Sequence, residues 1–259
     1  MKSLPLSKVL ANSAFKTVGL VAADMDGTLT LEGKFTASLL KALEDLAAAG
    51  VAVAIVTGRS AGWVNGLVSY LPVVGAIAEN GGLFYPGTGD PVLLATVADV
   101  ETHRQHLAST FKRLQSHFPQ LRETSDNRFR ITDWTFDIEG LTPEDLQQLN
   151  RLCEEMGWGF TYSSVQCHIK PQSQGKAIAL LQLLRGYFPQ YSAAQVLTVG
   201  DSPNDETLFD PDLFPLSVGV ANIAEYGDRL THHPAYITAK PEAEGFCELA
   251  SLILQQQRQ

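Results

Sequence analysis

The chain has 259 residues, enough for one large domain or two smaller ones with a substantial core. Hydrophobic content of 45% and charged content of 18% describe a globular protein, and no apolar run reaches the ~18 residues of a membrane span. A formal charge of −9 argues against nucleic-acid or anionic-membrane partners, and three scattered cysteines (Cys153, Cys167, Cys247) suit neither a disulfide framework nor a zinc site, so a cytoplasmic location is expected.

Met1–Thr17 has amphipathic character but no continuous apolar centre before a small-residue cleavage site, and reads as an extension ahead of the first strand. Val18-Gly-Leu-Val-Ala-Ala follows, apolar at consecutive positions, as in a parallel strand buried on both faces. It ends in Asp24-Met25-Asp26-Gly27-Thr28. Two acids at i and i+2 near a strand end can point to the same side, where their repulsion calls for a cation or for chemistry that uses it. Gly27 permits a turn that leaves amide groups free to face an anion.

From Phe35 to Ala49, Leu39, Leu40, Leu43 and Leu46 fall on one helical face, with Thr36 as N-cap and Gly50 as stop. Val51–Val56 is a second buried strand, so this strand–helix–strand unit predicts parallel pairing with a right-handed crossover. It ends in Thr57-Gly58-Arg59-Ser60. Thr57 would then sit beside Asp24, where its hydroxyl can donate to a phosphoryl oxygen, cap the next helix, or do both. Val73–Ala78 is a third strand, closed by Glu79-Asn80-Gly81-Gly82.

Between Gly82 and Pro171 the texture changes. A short strand over Val92–Thr96 and an amphipathic helix from about Val100 to Phe118 precede Arg128–Ile138, which alternates polar and apolar like a half-exposed antiparallel strand. Thr142-Pro143 starts another helix, Gly157 ends it, and strands over Phe160–Ser163 and Gln166–Ile169 close the section. This order predicts a small α+β module with helices on one face of an antiparallel sheet. Arg128, Arg130, His168 and Lys170 are its candidates for touching a substrate, against the alternative of solvated surface charge.

Lys176 opens a helical stretch running to Leu184. A lysine in a first turn opposes the macrodipole, which points to a chemical role, since its ammonium can bridge a nucleophile and a phosphoryl group. Val196–Gly200 is a fourth buried strand and ends in Asp201-Ser202-Pro203-Asn204-Asp205, bringing further carboxylates to the edge that holds Asp24 and Asp26. Hard oxygen ligands of this kind suit Mg²⁺. Strands Leu216–Val220 and Ala235–Thr238 and a helix over Glu244–Leu254 complete the chain.

Asp-x-Asp-Gly-Thr after an apolar strand, Thr57-Gly58-Arg59, Lys176 at a helix start and Gly-Asp-Ser-x-Asn-Asp together resemble the four motifs of the haloacid dehalogenase superfamily. Glu79-Asn80-Gly81 and the C-terminal segments are similar to its Cof-type, sucrose-phosphate-phosphatase-like branch, which carries a large cap between the second and third motifs. One departure is that Gly175 precedes Lys176, where the family's glycine usually follows the lysine. The resemblance implies an α/β, doubly wound, mostly parallel Rossmann-like core (1–84 and 171–259) with an inserted α+β cap (85–170).

It also implies an Mg²⁺-dependent phosphatase acting on a small phosphorylated metabolite, with sugar phosphates foremost, as a monomer or small homo-oligomer. Asp24 would be nucleophile and Asp26 acid and base. Thr57, Gly58, Lys176 and Asn204 would bind phosphate. Asp24, Asp26 through its carbonyl, Asp201 and Asp205 would hold the metal, Asp205 directly or through water. The competing readings are a phosphomannomutase-type phosphomutase, a receiver-like phospho-acceptor domain and a catalytically idle binding protein.

Overall fold

The computed structural model describes residues 3–11 and 13–258. Of the N-terminal extension, Met1, Lys2 and Asn12 lie outside the described residues. The remainder starts with β1 (Leu4–Pro5) and a 3-10 turn over Leu6–Ala11, and Leu6, Val9 and Phe15 enter the core. The elements that follow are β2 (Leu20–Ala23), α1 (Ala37–Ala48), β3 (Ala52–Val56), α2 (Ala61–Val68), β4 (Gly75–Ala78), β5 (Leu83–Pro86) and β6 (Val92–Leu93). A middle section contributes α3 (Val100–His117), β7 (Trp134–Asp137), α4 (Pro143–Glu155), β8 (Trp158–Tyr162) and β9 (Gln166–Pro171). The chain then returns through α5 (Lys176–Gly186), β10 (Val196–Gly200), β11 (Leu216–Gly219), β12 (Tyr236–Ile237) and α6 (Glu242–Gln257). Among the described residues no helix is long and apolar enough to cross a membrane.

Among the described residues nine strands form one sheet in the order β1-β12-β11-β10-β2-β3-β4-β5-β6, with every pairing parallel except β4–β5 and β5–β6. The consecutive apolar residues of β2 and β3 are explained by cover on both faces. Val21, Ala23, Val53 and Ile55 meet the layer of α1, α2 and α6, while Leu20, Ala22, Ala54 and Val56 meet α5. The chain runs outward from β2 through β3 and β4, then returns to β10 on the other side of β2. That reversal opens a crevice at the carboxyl ends of β2, β3 and β10, where Asp24, Thr57 and Asp201 emerge.

A separate antiparallel sheet, β7-β9-β8, carries α3 and α4 on one face. Leu107, Phe111 and Leu114 of α3 and Leu146, Leu149 and Cys153 of α4 pack on Phe136, Cys167 and Ile169. Thr142 starts α4 with a reciprocal capping box to Asp145, and Pro143 occupies the first turn, where its missing N–H costs nothing.

Two expectations for the middle section change. The short strand over Val92–Thr96, assigned to the inserted section, is β6, which pairs with β5 at the edge of the large sheet. Arg128–Ile138 is not one alternating strand: residues through Phe129 form a 3-10 turn, and only Trp134–Asp137 pairs. The cause is competition for backbone donors. Ile131 and Thr132 N–H groups donate to the Glu79 carboxylate at 3.0 and 2.7 Å, so this stretch is pinned to the large sheet and cannot join the small one.

In α1, Thr36 caps the helix by accepting from Leu39 N–H at 3.1 Å, and Leu39, Leu43 and Leu46 are buried. Leu40, placed on the same face by periodicity, is 39% exposed. In urea denaturation Leu43→Ala should therefore cost about 2–5 kcal/mol. Leu40→Ala should stay near about 0.5 kcal/mol, as for an ordinary surface change.

Candidate active site

Asp24 leaves β2 with its N–H donating to Val199 O at 2.9 Å, which fixes the side chain at the junction with β10. Lys176 reaches it from the first turn of α5. Its Nζ donates to Asp24 Oδ1 at 2.5 Å and to Asp205 Oδ1 at 2.7 Å, with only 1% of the residue exposed. Asp205 Oδ2 in turn accepts from the N–H groups of Asp201 and Ser202. Asp201 is held from two sides, by Thr28 Oγ1 at 3.0 Å and by Asn222 Nδ2 at 3.1 Å. Gly27 has φ +77°, and a β-carbon there would stand 2.5 Å from Asp201 Oδ2, so conformation and space both demand glycine.

Ligand atoms of Asp24, Asp201 and Asp205 lie within 4.8 Å of one another. Three buried carboxylates thus share one ammonium. Burial, then Asp205, pushes Asp24 up to about 7, and Lys176 offsets only part of this. Burial also raises Asp201 well above the usual carboxylate range, with Asp24 and Asp205 adding to it. Burial alone would lower Lys176, but Asp205 and Asp24 together hold it above its ordinary value. The surplus of buried negative charge is a demand for a cation, and an all-oxygen donor set fits a hard divalent ion.

Asp26 carries Arg59 Nε and Nη2 on its two oxygens at 2.8 and 2.7 Å. Asp24, Asp26, Thr57, Gly58, Arg59 and Asn204 form one wall of a narrow cleft. Ser163, Val165, Gln166 and His168, from the β8–β9 hairpin, form the other. Thr57 Oγ1 accepts from Arg59 N–H at 3.1 Å, and Asn204 Nδ2 donates to Asn80 Oδ1 at 3.1 Å. Asp24, Asp26, Thr57, Gly58, Lys176, Asp201, Asn204, Asp205 and His168 are therefore brought together around one crevice.

The other three candidates are not. Arg128 is exposed and lies over the Phe129 ring at 4.8 Å. Arg130 is buried, with its guanidinium on Asp133, Asp126 and Gly58 O. Lys170 donates to Gln174 O at 2.5 Å, and burial pulls it down to about 8. Arg59, Gln166, Asp133 and Asn80 were not singled out as site residues. Arg59 had a signal, since it adjoins Thr57 and Gly58. Asp133 had none, because its partner His168 lies 35 positions away.

Residues 21–119 match the family described as haloacid dehalogenase-like hydrolase. A phosphoglycolate phosphatase from Thermoplasma acidophilum is 29% identical over 196 residues, 74% of this chain and 81% of that one. Phosphoglycolate phosphatase 1 from Saccharolobus solfataricus is 28% identical, covering 92% of this chain and 96% of its own. In fold, the chain is similar to the sucrose-phosphatase of Synechocystis sp. PCC6803, with a TM-score of 0.68, 20% identity and coverage of 92% and 98%. It is likewise similar to the C-terminal domain of C. albicans trehalose-6-phosphate phosphatase, with a TM-score of 0.72, 16% identity and coverage of 98% of both chains. These likenesses, to haloacid dehalogenase-like hydrolases over residues 21–119 and to proteins named phosphatases over most of the chain, support a phosphoric monoester hydrolase.

Proposed function

We propose that the protein hydrolyses a small phosphate monoester through a phosphorylated Asp24, with Mg²⁺ as cofactor. The observation that carries this reading is the Lys176 ammonium on Asp24 inside a cluster of three buried carboxylates, with Asp26 lining the same cleft. Asp24, Asp201, Asp205 and the backbone carbonyl of Asp26 would hold the metal. When bound, the ion supplies positive charge that lets one anion approach another.

The remaining work falls to this chain's own groups. A carboxylate oxygen of Asp24 attacks phosphorus in line; the phosphorus–oxygen bond to Asp24 forms as the bond to the leaving oxygen breaks. Asp26 gives that oxygen its proton. Asp26 then takes a proton from water, which attacks phosphorus, breaks the bond to Asp24 and releases inorganic phosphate. Lys176, Thr57, Asn204 and the Gly58 loop hold the phosphoryl oxygens, and Arg59 keeps the Asp26 carboxylate aimed at the cleft.

The hairpin wall of the cleft supports reading the three-stranded unit as a cap that shields the reaction from water and meets the leaving group. Because β6 belongs to the large sheet, such a cap would begin near α3 and not at residue 85. Sugar phosphates are the substrates favoured by the sequence. The names of the curated relatives add phosphoglycolate to the panel.

Initial rates on a panel of phosphate monoesters, with Mg²⁺ and with chelator, should show metal-dependent release of inorganic phosphate. Recovery of an isomerised sugar phosphate in its place would establish the phosphomutase alternative. Asp24→Asn should lower turnover by roughly 10³-fold or more. Substantial activity in that variant, free of wild-type protein, would refute the assignment.

The same variant carries a stability prediction. Asp24 sits at about 7 in the folded chain against an ordinary 3.8, so folding favours its protonated form. Its charge therefore costs stability, increasingly as pH rises from about 4 to about 7, and fully above that. In chelator, Asp24→Asn should raise the thermal midpoint at pH ~8 and leave it nearly unchanged at pH ~4. Equal midpoints at the higher pH would contradict the burial cost.

A further inference from the structure

The hairpin wall of the cleft has a polarity that phosphoryl transfer does not use. Cys167 and Ile169 of β9 turn into the helical layer, so Gln166 and His168 turn the opposite way, to the cleft. His168 is 1% exposed, and its Nδ1 lies 2.8 Å from Asp133 Oδ2. Asp133 is itself buried and accepts from Arg130 Nη1 at 2.9 and 3.0 Å, while Arg130 is anchored on Gly58 O at 2.9 Å. A carboxylate already matched by a guanidinium needs no second cation, and it can only accept. The shared hydrogen therefore sits on Nδ1, and the ring's other nitrogen, Nε2, keeps its lone pair.

Nε2 has no hydrogen-bond partner among the described residues. It lies at the phosphate-binding loop: a β-carbon on Gly58 would stand 3.2 Å from it. Burial keeps the ring below its ordinary value. Arg130 and Lys176 act in the same sense, and Asp133 opposes them. Arg59, the cationic head lining the cleft, is taken up by both oxygens of Asp26.

We propose, on the phosphatase reading above, that His168 is a specificity-determining residue whose Nε2 accepts a hydrogen bond from a hydroxyl on the leaving group. Asp133 and Arg130 are then positioning residues that fix the accepting tautomer. A carboxylate at the same place would meet a lone pair and no free cation, and a bare alkyl group would leave the acceptor unpaired. On this account the chain departs from the substrate in its relatives' names, since phosphoglycolate presents a carboxylate there.

The test uses the full chain with Mg²⁺ and three matched esters, namely 2-hydroxyethyl phosphate, propyl phosphate and phosphoglycolate. The expected kcat/KM for the hydroxyl ester exceeds that for the alkyl ester by about tenfold or more, with phosphoglycolate lowest. In His168→Leu the hydroxyl-to-alkyl ratio should fall to about one. Asp133→Asn offers an amide that can donate to Nδ1, which moves the ring hydrogen to Nε2. The ratio of phosphoglycolate to hydroxyl ester should then rise by about tenfold, a change that loss of packing would not produce.

Equal wild-type kcat/KM on the hydroxyl and alkyl esters, or phosphoglycolate as the best of the three, would overturn the proposal while leaving the phosphatase reading intact. So would an unchanged ratio in His168→Leu. Should that variant not fold, the wild-type ranking and Asp133→Asn decide the matter. Failure to turn over any phosphate monoester with Mg²⁺ removes the phosphatase reading, and this proposal with it.

Discussion

Lys176 is the counterion around which the crevice is built. One buried ammonium cannot neutralise three buried carboxylates, and isolated charges at this depth would be prohibitively costly. The arrangement persists because the backbone leaves little alternative. Asp24 is fixed by the β2–β10 ladder, Asp205 by the N–H groups of Asp201 and Ser202, and Asp201 by Thr28 and Asn222. The residual charge is raised free energy in the folded state. Removing it should favour the fold and damage the chemistry, the usual opposition between stability and function.

Topology accounts for why residues so far apart in sequence can do this. A strand that lies between its successor and a strand returning some 140 residues later puts three carboxyl ends side by side. The insertion that delays the return costs little, because closure entropy grows only logarithmically with loop length. The inserted unit has a core of its own, so it can add a wall to the cleft without drawing on the packing of the large sheet.

The parts legible in the sequence were those whose physics is local. Continuous apolar runs marked the strands buried on both faces, Thr36 and Thr142 marked helix starts, and Asp-x-Asp-Gly-Thr and Gly-Asp-Ser-x-Asn-Asp marked strand ends with clustered acids. Long-range pairing was not legible. Alternation over Arg128–Ile138 looks like a strand because the sequence does not display Glu79, more than fifty residues earlier, whose carboxylate takes the donors a strand would have used. Arg130 illustrates the same blindness. A charge on an apparent surface strand turned out to be a buried anchor between Asp133 and Gly58.

Glu79 shows how closely the two sheets depend on each other. It and Asn80 take positive φ, +54° and +53°, a conformation costing non-glycine residues about 1–3 kcal/mol each where the surroundings impose it. What imposes it here is a dense set of bonds. The Glu79 carboxylate accepts from Ala61 N–H at the start of α2 and from Ile131, Thr132 and the Thr132 hydroxyl. Its carbonyl accepts from Gln174, two residues before Lys176, and Asn80 receives Asn204. Burial, then Asp133, pushes the Glu79 carboxyl above its usual range. One turn thus ties the Thr57 loop, the approach to Lys176, the acidic loop and the segment leading into the small sheet. A shift of the segment leading into the small sheet cannot leave the acidic loop untouched, because Ile131 and Thr132 are hydrogen-bonded to Glu79 and Asn204 to its neighbour Asn80.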